Sequence, residues 1–170
     1  MFWHSTLWEF ETDRLRVLPW RSRGDGPLAT FLAVALTSEV TRELPPSWQA
    51  GVTPTSAGDW IAARDREGVM FLVETKERDE PVGVFMFFPD ETPERNVVRL
   101  GYVFVEAAWG CGYATELVWG FLGRWESRGA PGLLLAGVTV GNTASQRVLE
   151  KNGFVRAGER DGVIEYRRAR

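Results

Sequence analysis

Hydrophobic positions along the chain alternate between short β-type runs and sets spaced by three and four, and they predict a mixed order of strands and helices. Residues 15–20 (LRVLPW) read as a short strand, with Pro19 marking an edge or an end. Residues 28–44 carry Leu28, Phe31, Leu32, Ala35 and Leu36 at helical steps, and Pro45 and Pro46 close that helix. A second helix is expected over 55–68, with Ser56 as its cap and Asp59 three residues on. Residues 69–75 (VMFLVET) and 82–88 (VGVFMFF) predict a hairpin across the charged turn KERDE. The polar turn DETPERN then leads to a third strand over 97–105, rich in β-branched and aromatic residues. Ala114, Leu117, Val118, Phe121, Leu122 and Trp125 form one face of a helix over 114–128. After the break at GAPG come a buried strand over 133–140 and a short helix over 143–151, with Asn142 placed to cap it. Strands over 154–159 and 164–168 close a hairpin around Asp161-Gly162. The order is β-α-α-β-β-β-α-β-α-β-β, which by pattern alone is an α+β or α/β protein.

The junction between the third strand and the long helix carries chemistry. Gly110, Cys111 and Gly112 make a turn with little side-chain bulk directly before the helix. The first N–H groups of a helix lack intrahelical partners, and the helix dipole adds partial positive charge there. Glycines let an anion approach those amides, so the turn suits a phosphate or diphosphate. An ordinary strand-to-helix turn uses the same residues. A dinucleotide fingerprint would need a third glycine after Gly110 and Gly112, and a Walker loop would need a lysine after Gly112; neither is present.

Composition narrows the classes. With 170 residues the chain is expected to be one domain over 1–170 with a substantial core. Hydrophobic residues make up 44% and charged residues 25%, as in soluble globular proteins. Twenty basic against 23 acidic residues give a net charge of −3, which argues against a nucleic-acid partner. The single cysteine excludes an internal disulfide, and with His4 as the only histidine no metal centre is expected. The first residues lack the pattern of a signal peptide, and no apolar run is long enough to span a membrane; a cytoplasmic protein is expected.

The turn and its helix resemble motif A of the GNAT superfamily of N-acetyltransferases, in which loop amides hold the diphosphate of acetyl-CoA. The corresponding stretch is Trp109-Gly110-Cys111-Gly112-Tyr113-Ala114-Thr115; Gly112 and Ala114 fit the motif, and Trp109 stands where Gln or Arg is usual. The wording G-x-G-Y-A-T-E is similar to that of the ribosomal-protein N-acetyltransferase branch (RimJ/RimL-like). Residues 142–154 (NTASQRVLEKNGF) resemble motif B of that branch through Asn142, Ser145, Glu150, Lys151, Gly153 and Phe154. ETDRL near the N-terminus resembles the branch's opening T-x-R-L. The resemblance implies the GNAT fold: a mostly antiparallel, twisted and splayed central sheet of about seven strands with helices on both faces.

The resemblance also implies a division of labour. Acetyl-CoA is the co-substrate and a primary amine the acceptor, either a protein N-terminal α-amine or a small molecule. Attack is direct, within a ternary complex. The backbone of Phe104 and Val105 would bond the pantetheine amides, with an N–H near Val105 facing the thioester carbonyl. Trp109 to Thr115 and Asn142 would hold the rest of the cofactor. Many relatives place a tyrosine acid where this chain has Leu149, and the branch places a serine at Ser145, which becomes the expected donor to the departing sulfur. Glu106, Glu39 and Glu43 are candidate bases, and Trp48 a candidate for the acceptor pocket. Cys111 has no histidine near it in sequence to activate it as a nucleophile. A homodimer is the assembly that branch often adopts. Two other readings remain open from sequence: an acyl-CoA-binding module without turnover, and a nucleotide-binding protein using the same turn.

Overall fold

The computed structural model describes residues 4–92, 95–130 and 132–169. Among them eight strands form a single sheet in the order β1-β2-β3-β4-β5-β6-β8-β7. The strands are β1 (Phe10–Glu11), β2 (Leu15–Pro19), β3 (Val69–Thr75), β4 (Glu80–Thr92), β5 (Arg95–Phe104), β6 (Leu133–Thr139), β7 (Val155–Arg160) and β8 (Val163–Arg168). Every neighbouring pair is antiparallel except β5 and β6. The strand beyond the expected seven is β1, two residues that fold back on β2 with Phe10 opposite Val17.

Helices cover both faces. On one lie α1 (Asp25–Ala35), α2 (Ser38–Thr41), α3 (Pro46–Gln49) and α4 (Ala57–Glu67); on the other lie α5 (Tyr113–Ser127) and α6 (Thr143–Lys151). The helix expected over 28–44 is two pieces, because Thr37 stops α1 and caps α2, its hydroxyl accepting the Val40 N–H at 3.2 Å. Ser56 does not cap α4: its hydroxyl is taken by the Thr53 N–H at 3.0 Å. Asn142 does cap α6, its side-chain oxygen accepting the Ser145 N–H at 3.1 Å. The turn between β7 and β8 has positive φ at both Asp161 and Gly162, the backbone a two-residue hairpin demands.

Alternation along β5 divides the core. Leu100 and Phe104 face α5 and α6, while Val103 faces the α1–α4 layer. The predicted face of α5 is the observed one: Leu117, Val118, Phe121, Leu122 and Trp125 are buried against Trp8, Phe85 and Phe87. Gly120 lets the β1–β2 turn lie against this helix. A β-carbon there would stand 2.5 Å from Thr12 Cγ2 and 2.8 Å from the Phe10 ring.

The parallel pair is short. Val97, Val98 and Arg99 pair with Leu133, Leu134 and Leu135, after which β5 pairs only with β4 and β6 only with β8. The sheet therefore splays from Leu100 onward, and one edge of β5 is left open.

Candidate active site

The open edge of β5 leads into the glycine loop. Gly110 and Gly112 adopt φ of +73° and +79°, left-handed values that L side chains seldom take. No atom lies within 4 Å of where a Gly110 β-carbon would be. Gly112 is the N-cap of α5 and offers no side chain to its first turn, so the helix opens with uncapped amides. The residues expected to hold a diphosphate thus present a bare, partly positive backbone.

An arginine sequence reasoning missed fixes this loop. Arg14 donates through Nη1 to the Cys111 carbonyl at 2.9 Å and lies 4.6 Å from the centre of the Tyr113 ring. Its Nε and Nη2 both reach one carboxylate oxygen of Glu116 at 2.6 Å. The other Glu116 oxygen accepts the Thr12 hydroxyl at 2.6 Å and the Arg14 N–H at 2.8 Å. Burial alone would raise the Glu116 pKa, yet the Thr12, Arg14 N–H and guanidinium contacts outweigh it and hold the carboxylate below its ordinary value. The T-x-R-L signal marked Arg14 in sequence without showing its role, since Glu116 lies 102 residues away.

At the end of β5 the backbone divides its duties. The Val105 N–H donates to the Val82 carbonyl at 2.9 Å, and the Val105 carbonyl accepts the Ala108 N–H at 2.9 Å. The expected donor at Val105 is therefore committed, because this residue ends the β4 ladder and opens the turn over Glu106–Ala108. Backbone groups alternate in direction along a strand, so the Phe104 N–H and carbonyl point into the splay. That carbonyl accepts the Trp109 indole N–H at 2.8 Å. Trp109, which departs from the usual Gln or Arg, thus lies along the edge rather than in solvent alone, and Tyr113 stacks on Phe104 at 6.4 Å between ring centres.

From the far wall of the splay α6 supplies Ser145, partly buried, one turn before Leu149, which is wholly in the core. Tyr102 of β5 is half-buried against the core that α5 and α6 cover. Burial pushes its phenol up to about 12, with Ser145 pulling it partly back. Yet Tyr102 Oη is shut off from solvent without a hydrogen bond of ordinary geometry.

Other expected residues are placed elsewhere. Trp48 is only 3% exposed, packed edge-on to Trp60 at 5.1 Å with the Arg64 guanidinium 5.6 Å from its ring, so it belongs to the α-layer core and not to a pocket wall. Glu106 is exposed beyond the end of β5 and accepts the Thr37 hydroxyl at 3.1 Å. Glu39 and Glu43 are both paired with Arg42. Cys111 is exposed in the loop. Beyond the loop an open cavity of about 450 Å³ runs between α5 and the end of α6, bordered by Gly112, Thr115, Trp119, Lys151 and Asn152. Among the described residues no group of histidine, cysteine and carboxylate side chains could hold a metal, and no helix is long and apolar enough to cross a membrane.

Comparison with known proteins agrees with this fold. YkkB of Bacillus subtilis, an uncharacterized protein, is 32% identical over 85 residues; the chain spans about half the length of that curated relative, 49% of it matched by 50% of this chain. The fold matches a GNAT-family acetyltransferase from Bacillus anthracis with a TM-score of 0.74 and 20% identity, over 94% of this chain and 95% of that one. It matches RimL, a ribosomal L7/L12 α-N-protein acetyltransferase in complex with coenzyme A, with a TM-score of 0.73 and 19% identity, over 93% and 95% of the two chains. It also matches RimJ of Mycobacterium smegmatis in complex with a CoA-disulfide, with a TM-score of 0.74 and 20% identity, over 94% and 86%. The model of the acetyltransferase (GNAT) domain matches residues 14–155, from the arginine that braces the loop to the first residue of β7, and the chain belongs to that family.

Proposed function

We propose that the protein is an acetyl-CoA-dependent N-acetyltransferase, one catalytic domain over the whole chain, acting on a primary amine. The observation that carries this reading is the position of the uncapped α5 amides beside the open edge of β5. A ligand with a diphosphate and a pair of amides fits both features at once: anion on the glycine loop, amide chain along Phe104. The cavity bordered by Trp119 and Lys151 offers an aromatic face and a cation to its nucleotide end. The fold shared with RimL, an α-N-protein acetyltransferase, supports a protein α-amine as acceptor, and a small-molecule amine is the other member of the class.

The chemistry asks little of the protein. Holding amine and thioester together contributes roughly 7–11 kcal/mol by removing the entropy of encounter. The Phe104 N–H is the backbone donor left to face a developing oxyanion. Glu106, held by Thr37 at the end of β5, takes the proton that the amine gives up. Ser145 donates a hydrogen bond to the departing sulfur.

Calorimetric titration with acetyl-CoA and then CoA, on the wild type and on Gly112→Trp, tests the reading. Binding lost in the variant supports the cofactor site, and release of thiol in the presence of amines and peptides supports transfer. Binding without release toward any acceptor favours the binding module. Preference for ATP or NAD over acetyl-CoA favours the nucleotide reading.

A further inference from the structure

We infer that the Trp109 indole competes with the cofactor for the Phe104 carbonyl, and so sets how tightly acetyl-CoA and CoA are held. This rests on the proposed acetyl transfer, in which the pantetheine lies along the open edge of β5. Phe104 and Val105 carry four backbone groups between them. The Val105 N–H is spent on the Val82 carbonyl and the Val105 carbonyl on the Ala108 N–H, both at 2.9 Å. The Phe104 N–H and carbonyl point away from β4, into the gap that opens where β5 stops pairing with β6. That carbonyl is therefore the one acceptor these two residues can offer to an amide N–H. It already accepts the Trp109 indole N–H at 2.8 Å.

The competitor is fixed at its backbone and lightly held at its ring. Trp109 follows the short turn over Glu106–Ala108, and its own N–H is bound to the Glu106 carbonyl at 3.0 Å. That turn folds the side chain back onto Phe104. The residue is 48% exposed, and among the described residues no second polar group, cation or aromatic ring holds the indole. Turning the ring out loses one hydrogen bond, which a cofactor amide replaces at the same oxygen. A carbonyl oxygen has two lone pairs. Yet an indole at 2.8 Å sets a bicyclic ring beside this one, in the space an extended chain along the strand needs. Binding therefore exchanges one hydrogen bond for another and gains nothing from that oxygen. As CoA leaves, the indole returns to the carbonyl. The contact weakens the hold on acetyl-CoA and CoA alike and speeds departure of the product.

Trp109→Phe tests this, since it keeps an aromatic ring and removes the N–H. CoA is expected to bind the variant about fivefold more tightly than the wild type, as for one neutral hydrogen bond. The gain is expected as slower dissociation in stopped-flow displacement. ADP shares the adenosine and diphosphate of CoA but has no amide chain, and it is expected to bind both proteins equally. Magnetic resonance reads the contact itself. The indole N–H signal present in the wild type and absent from the variant is expected to move toward the position of exposed indoles when CoA saturates the protein. With ADP it is expected to stay in place. Equal or weaker CoA binding by the variant, an equal gain for ADP, or an indole signal that ignores CoA overturns the inference while leaving acetyl transfer standing. No binding of CoA to either protein overturns both.

Discussion

Glu116→Gln isolates the brace between the N-terminal turn and the glycine loop. The carboxylate serves four donors through two oxygens. A glutamine in the same rotamer can keep its oxygen on Thr12 and the Arg14 N–H, but its NH2 then faces the guanidinium, donor against donor. Two charge-assisted bonds are lost. Each is worth up to about 1.5–3 kcal/mol when buried. Arg14 is half exposed and can turn into water, so the loss is discounted to about 2 kcal/mol in total. For a chain of this size that lowers the melting temperature by about 4–8 °C. The sign with pH follows from the depressed carboxylate. Its stabilisation is complete above the unfolded value near 4.5 and is lost as pH falls through the lower folded value. Urea denaturation at a series of pH values is therefore expected to show a gap between wild type and variant at neutral pH that closes in acid. A gap that is constant down to the acid limb, or no gap at pH 7, refutes the reasoning. The same variant frees the Cys111 carbonyl from Arg14, so affinity for acetyl-CoA is expected to fall about tenfold, the equivalent of about 1.4 kcal/mol.

Two further outcomes follow from the same loop. Gly120→Ala gains helix propensity but drives a β-carbon into Thr12, whose hydroxyl is fixed on Glu116; stability is expected to fall by about 1–2 kcal/mol and acetyl-CoA affinity with it, and calorimetry showing tighter binding would count against the brace. A maleimide is expected to label Cys111 in the free protein, CoA to protect it, and the labelled protein to bind CoA at least tenfold more weakly; full affinity after labelling would move the anion site away from the loop.

Local features were legible in the sequence. The face of α5 was readable because one helix face meets one core, and the Asn142 cap because cap and amide lie three residues apart. Ser56 misled because a nearer donor, the Thr53 N–H, competes for its hydroxyl. Trp48 misled for a different reason. Its place in the helical layer depends on Trp60 and Arg64, which stack on it from α4, and nothing in the spacing of these residues distinguishes a core cluster from a pocket wall.

The site itself was only half legible, and the missing half is the part made by pairing. Sequence marks 97–105 and 133–140 as strands, but whether they pair along their whole length or for three residues is a property of the sheet. That short register decides several roles at once. It leaves the Phe104 N–H open, while the β4 ladder consumes that of Val105, the donor expected from sequence. Had β6 continued beside β5, the open edge would have been filled by a strand and the Phe104 N–H spent on an internal bond. The same residues would then make a stable sheet with no place for an amide chain, which is why the two motifs, however well they match, mark the ends of the site and not its floor.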